Sequence, residues 1–285
     1  MITDQTPKPQ TRGYMVPFWP SDRMGTDTVS TYEKMLVASV ASFRACSGYD
    51  VDLLVVDCLG TLSAPTRQKL LRLMARIWTG KVLAEESPLT LAGADIPWEG
   101  GCCFNKLLCE LHSPFDRTAL FDADLIWTGP AIEVFDATWT ADVAGVLCPN
   151  YSRHGSSEPG SCACLTVSSR EAILRIMTTR ERVVNRNSDE QLIDCAVAEG
   201  LVTRDNLPPE WAFDGRALFG TGPGPFHNWN LLANWSRGQR WPGFPAGLWT
   251  VDGVAIRAFH ISGIVRRAFK DPRVLEYLAA VNGLI

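Results

Sequence analysis

The stretch RTALFDADLIW, residues 117–127, decides how this chain is read. Its apolar run predicts a buried strand, yet Asp122 and Asp124 interrupt that run two residues apart. In an extended chain, side chains at i and i+2 point the same way, so both carboxylates are expected to face one point in space. At the C-terminal end of a strand in an open parallel sheet, that point lies in the ligand crevice. Two converging oxygen ligands suit a hard divalent cation such as Mg²⁺ or Mn²⁺. The same pair also suits a plain cap on the following turn, and a bare D-x-D does not separate the two.

Outward from this stretch, strand and helix patterns alternate. GYMVPFWP (13–20) predicts a first strand whose ladder Pro17 limits. A helix is expected from about Ser30, because Tyr32, Met35, Leu36, Val40 and Phe43 form one apolar stripe. VDLLVVDC (51–58) is the near-continuous apolar run of a parallel strand covered on both faces. APTRQKLLRLMARIW (64–78) predicts a helix with Leu70, Leu73, Met74, Ile77 and Trp78 as its stripe, and KVLAEE (81–86) a short strand. CFNKLLCELH (103–112) predicts a helix with Phe104, Leu107, Leu108 and Leu111 on one face. ADVAGVLC (141–148) and SCACLTVSS (161–169) read as strands, and SDEQLIDCAVAEG (188–200) as a helix. A Pro/Gly/Trp-rich section covers 206–249, then VDGVAIRAFHISG (251–263) reads as a final strand before a C-terminal helix. This order predicts βαβ units, an α/β fold and a mostly parallel sheet. Residues 1–12 are expected to form a disordered tail and 13–285 a single domain.

Composition narrows the function classes. A net charge of −4 with no basic stripe argues against a nucleic-acid partner. The N-terminus lacks the apolar core of a signal peptide, and no window resembles a membrane span. The cysteines are odd in number, nine, and sit mostly inside apolar runs, which points to a reducing, cytoplasmic setting. GCCF and SCACL contain no CxxC pair, so a zinc knuckle is not indicated.

The segment FNKLLCELHSPFDRTALFDADLIWTGPAIEVF (104–135) resembles the family 8 retaining glycosyltransferases of GT-A fold, the glycogenin and bacterial galactosyltransferase type. Four further segments, TYEKMLVASVASF (31–43), SDEQLIDCAV (188–197), NLPPEWAFD (206–214) and FHISGIVRRAF (259–269), resemble that family's motifs in the same order. The resemblance implies a mixed, mostly parallel sheet flanked by helices. It implies a donor that is a nucleotide diphosphate sugar, a UDP-sugar by that family's habit, and Mn²⁺ or Mg²⁺ across the diphosphate. Metal ligands would fall on Asp122, Asp124 and His260. Donor contacts would fall on Tyr32 (the base), Lys106, Ala123, Gly263 (close backbone approach) and Arg266, which stands where the family has lysine. Asp189 would lie beside the transferred sugar, with Glu190 and Gln191 in the same turn as further catalytic candidates. Transfer with retention is expected, and the acceptor is left open among glycan, protein, lipid and small molecule.

Plainer readings exist for several of these residues. Tyr32 fits the core stripe of its helix. Lys106 lies off its helix's stripe and would otherwise face Glu110 on the helix surface. Ser188 and Gln191 form a capping box, and acidic residues suit a first turn. Asp189 nevertheless shares a face with Leu192, Ile193, Ala196 and Val197, and an inward carboxylate needs a partner or a role. Departures from the family also stand out: CAC (162–164) replaces N-x-G, RRAF (266–269) replaces K-P-W, and Asp194 replaces asparagine. Trp229, Trp235, Trp241 and Trp249 suit either an acceptor loop or simple packing of a long loop. A nucleotidyltransferase would need a Gly-rich basic loop, which PFWPSDRMGTD (17–27) lacks, and a non-catalytic nucleotide-sugar or glycan binder is the other alternative.

Overall fold

Alternation along β1 (Arg12–Phe18) sets the layers. Tyr14, Val16 and Phe18 enter one apolar cluster and Met15 enters another on the opposite face, as the strand period of two requires. The computed structural model describes residues 11–20, 26–86, 102–136, 140–148, 160–182, 189–214, 250–251, 254–255, 257–260, 279, 283 and 285. Parallel to β1 run β2 (Leu53–Asp57) and β4 (Arg117–Phe121). With β3 (Arg76–Thr79), β6 (Val143–Cys148), β7 (Gly160–Ser169) and β8 (Arg204–Leu207), they form a seven-stranded sheet ordered β3-β2-β1-β4-β7-β6-β8. β7 runs against both its neighbours, and the other pairs are parallel. The sheet is therefore mixed and mostly parallel, as expected. Pro17 is tolerated in the middle of it because the β1–β4 ladder ends at Met15.

Helices α1 (Thr26–Ser47), α2 (Ala64–Arg72) and the short α5 (Glu133–Asp136) pack on the Tyr14 face. On the other face lie α3 (Gly80–Glu85), α4 (Cys102–Leu111), α6 (Arg170–Met177) and α7 (Asp189–Ala198). No helix among the described residues is long and apolar enough to cross a membrane. Cys46, Cys58 and Cys109 form no disulfide.

A second, three-stranded sheet supports the site. β12 (Ala258–His260) lies between β5 (Leu125–Trp127) and β9 (Phe213–Asp214). The outer edge of β5 is covered by serines of α1. Ser39 Oγ donates to Leu125 O at 2.6 Å, and Trp127 N–H donates to Ser42 Oγ at 2.9 Å. Both serines are fully buried, so a helix supplies the partners that another strand would otherwise give.

Several expectations need correction. Residues 117–127 are two strands, with a turn at 122–124, and the strands belong to different sheets. Residues 251–263 do not form one strand either: β10 (Thr250–Val251) and β11 (Val254–Ala255) make a hairpin, and β12 follows separately. Helix α1 begins at Thr26, before Ser30, and β1 already includes Arg12. Finally, the stripe read through Ile77 and Trp78 is split. Helix α2 stops at Arg72, Ile77 and Trp78 lie in β3, and 81–85 of the expected strand belong to α3.

The split has a cause that composition hides. Ala75 N–H donates to Leu70 O and Met74 N–H to Leu71 O, with Met74 at φ 52°. This is a Schellman ending with methionine at the position where glycine usually signals the stop. Arg44 of α1, 3% exposed, donates to Leu73 O and Met74 O and holds the ending in place. Residues 1–10 of the expected 1–12 tail, most of the Trp-rich section and nearly all of the C-terminal helix lie outside the described residues.

Two stability measurements check this account. Met74 is 64% exposed, so Met74→Gly loses little packing. It relieves left-handed strain of about 1–2 kcal/mol against roughly 0.5–1 kcal/mol of extra unfolded-state freedom. Urea unfolding is expected to show a net gain. Ser42→Ala leaves the buried Trp127 N–H without its acceptor, and the same assay is expected to show a loss of about 1–3 kcal/mol.

Candidate metal centre

The aspartate pair sits in the turn between β4 and β5. Asp122 N–H donates to Cys164 O on β7 at 2.9 Å, and Leu125 N–H donates back to Asp122 O at 3.0 Å. The convergence of the two carboxylates therefore comes from a chain reversal rather than from strand alternation. Ala123 between them is 1% exposed and buries its methyl in the main core, which leaves the carboxylates on the open side.

His260 reaches this turn through the second sheet. In the antiparallel β5–β12 ladder, His260 is paired with Leu125, the residue after Asp124. Its Nε2 lies 3.3 Å from Asp122 Oδ2 and 3.3 Å from Asp124 Oδ1. Ligand atoms of Asp122, Asp124 and His260 all fall within 4.8 Å of one another, the one such group among the described residues. Asp124 and His260 are buried, at 5% and 6% exposure. Two carboxylate oxygens and one imidazole nitrogen aimed at a common point fit a borderline divalent cation.

Lysine and aspartate from two helices complete the cluster. Lys106, on α4, places Nζ 2.6 Å from Asp122 Oδ1 and 3.5 Å from Asp189 Oδ2. The sequence left Lys106 between the donor and a surface contact with Glu110. In the structure it faces the aspartates, and Glu110 is itself buried at 2% exposure. Asp189, at the start of α7, is 1% exposed and accepts Glu190 N–H at 2.9 Å. Its inward direction agrees with the face it shares with Leu192, Ile193 and Ala196.

Electrostatics follow from this packing. Burial works to raise the Asp122 carboxyl, but Lys106 and His260 outweigh it and hold the group down at about 2. Burial works to lower His260, but Cys164, Asp124 and Asp122 outweigh it and hold the imidazole well above its usual range. A proton on His260 thus occupies the position that a divalent cation would take, because metal binding and protonation compete for the same nitrogen.

The remaining candidates are distributed as follows. Tyr32 stacks on Phe18, the last residue of β1, with ring centroids 5.5 Å apart. Glu190 and Gln191 are half-buried in the first turn of α7, but the ion pair to Lys106 comes from Asp189. Asp194, the departure from asparagine, pairs with Arg204 of β8 at 2.5 Å. Ser188, Gly263, Arg266 and the four loop tryptophans lie outside the described residues. The CAC departure coincides with an irregularity in β7: its register against β6 shifts between Gly145 and Val146. Bulges of this kind occur next to active sites, where they re-aim side chains. Ser39 and Ser42 were missed as supports of the site. The only trace of the serines was their spacing on the buried face of α1.

No protein-family model matches the chain, and no curated protein matches it. Solved structures do match. The WbbM bifunctional glycosyltransferase aligns with 95% of this chain at TM-score 0.58 and 11% identity, and the chain spans 50% of that protein's length. Mouse xyloside xylosyltransferase 1 aligns with 89% of this chain and 98% of its own, at TM-score 0.54 and 11% identity. The galactosyltransferase LgtC, in complex with donor and acceptor sugar analogues, aligns over 96% of both chains at TM-score 0.55 and 12% identity. At such identities the likeness is one of architecture: the chain has the GT-A glycosyltransferase fold, the one its motifs resemble.

Proposed function

We propose that this chain is a metal-dependent glycosyltransferase that moves a hexose from a nucleotide diphosphate sugar, with UDP as the nucleotide, to an acceptor with retention of configuration. The observation that carries this reading is the convergence of Asp122, Asp124 and His260 within 4.8 Å, with Lys106 bridging from Asp122 to Asp189. A diphosphate needs cationic partners, and aspartates alone would repel it. The three ligands would hold Mn²⁺ or Mg²⁺, with the imidazole favouring Mn²⁺ over the oxygen-preferring Mg²⁺. When bound, the metal neutralises the diphosphate and acts as a Lewis acid toward the leaving group.

The protein's own groups divide the remaining work. Asp122 is ionised throughout the neutral range, because Lys106 and His260 hold it near 2 against its burial. Lys106 supplies a point charge that a phosphate oxygen can share. Asp189 contacts the same ammonium and would lie beside the transferred sugar, as an anion able to stabilise positive charge at the anomeric carbon. Glu190 and Gln191 would border the same pocket. Tyr32 offers an aromatic face for the base beyond the end of β1. Gly263 and Arg266 would act on the phosphates, and the reading applies to 13–285 as one domain.

The test is a panel of nucleotide sugars incubated with the protein and Mn²⁺, with released nucleotide diphosphate as the readout. Asp124→Ala is expected to lower Mn²⁺ affinity by at least about 100-fold, beyond what changes outside the ligand shell cost. Asp189→Asn is expected to keep Mn²⁺ affinity and to lower turnover by roughly 10²–10³-fold. Turnover that survives EDTA removes the metal from the reading. Nucleotide-sugar binding without any turnover replaces the enzyme with a binding protein.

A further inference from the structure

Helix α4 carries a second buried acid one turn beyond Lys106. Glu110 is 2% exposed, and its Oε1 accepts the hydroxyls of Thr166 at 2.7 Å and Ser168 at 3.0 Å, both buried on β7. The metal centre makes no use of it. Among the described residues, the groups that act on it are Asp189 from α7, Lys106 and the Cys109 thiol from α4 itself, and the two neutral hydroxyls from β7. Helix α6 meets α4 with the apolar side chains of Ala172, Ile173 and Ile176. Lys106 itself contacts Asp122.

Burial pushes the Glu110 carboxyl up, the Thr166 and Ser168 hydroxyls pull it down, Asp189 pushes it up and Lys106 pulls it down, with a result of about 7. Glu110 is therefore neutral on the acid side of that value and ionised on the alkaline side. Lys106 thus stands among three acids: Asp122 at 2.6 Å, Asp189 at 3.5 Å and Glu110 one turn along its own helix. Residues four apart on a helix are neighbours. The ammonium is already shared by Asp122 and Asp189, so a charge on Glu110 adds a third carboxylate that competes for it.

We propose that Glu110 is a positioning residue for Lys106: as a neutral acid it leaves the ammonium on Asp122 and Asp189, and as a carboxylate it draws the ammonium back along α4. The consequence for turnover rests on the glycosyltransferase reading, whereas the movement of Lys106 does not. Both the Lys106–Asp122 contact and turnover are expected to fall as pH rises through about 7.

The test pairs crystal structures at about pH 5.5 and about pH 8.5 with pH profiles of nucleotide diphosphate release. In the unaltered protein, Lys106 is expected on Asp122 at the lower pH and on Glu110 at the higher. Glu110→Gln, neutral at every pH, is expected to keep Lys106 on Asp122 in both crystals and to lack the alkaline fall in turnover. Thr166→Val removes a hydroxyl that favours the carboxylate, so the transition is expected at higher pH. Lys106 on Asp122 at both pH values in the unaltered protein overturns the inference, with or without turnover. An alkaline fall that persists unchanged in Glu110→Gln also overturns it. Movement of Lys106 in a protein that turns over no nucleotide sugar supports the inference and removes the transferase reading instead.

Discussion

The site depends on one reversal of the chain, held by two backbone hydrogen bonds. Asp122 N–H is tied to β7 through Cys164 O, and Leu125 N–H is tied back to Asp122 O. On one side of the reversal the chain belongs to the seven-stranded sheet, and on the other to the three-stranded one. The turn is thus the joint between two sheets, and a side chain placed there can meet residues from both. Lys106 arrives from a helix packed on the large sheet, and His260 arrives in register with Leu125 on the small one. An uninterrupted strand would also align Asp122 with Asp124, but it would not bring β12 beside them.

Much of this was legible in the sequence because burial writes a period into it. Among the described residues, the apolar runs of β1, β2, β6 and β7 and the stripes of α1, α4 and α7 correspond to faces buried in or packed against the core. The inward direction of Asp189 was legible for the same reason. Illegible features were those whose cause lies elsewhere in the chain. Helix α2 ends at a methionine because Arg44 of α1 donates to the terminal carbonyls, so no local residue marks the stop. The break after Phe121 left the apolar pattern intact, since Ala123 and Leu125 are as buried as the residues before them. Glu110 read as a surface residue because its partners, Thr166 and Ser168, belong to a strand distant in sequence.

Charge explains why the cluster is built from so many helices and strands. Two buried aspartates, a half-buried third and a buried glutamate surround one lysine and one histidine. Carboxylates withdrawn from water need compensation, and the chain divides it. Lys106 lowers Asp122, His260 shares its proton-binding site with both metal-side aspartates, and Glu110 tends toward its neutral form. Each of these adjustments leaves a place for a multivalent cation, which compensates several carboxylates at once.

The pairing of His260 with Leu125 also sets the order in which the site can come into being. Positions 122 and 124 are joined locally, but their third partner lies far along the chain at 260. Closing a loop of that length costs chain entropy before any contact repays it. Strands β1, β2 and β4 and their helices can associate before β12 docks, whereas the three-ligand group exists only afterwards. A growing chain emerging from the ribosome would therefore hold a nearly complete large sheet while still unable to present all three ligands. Metal affinity would then report the final stage of assembly rather than the first.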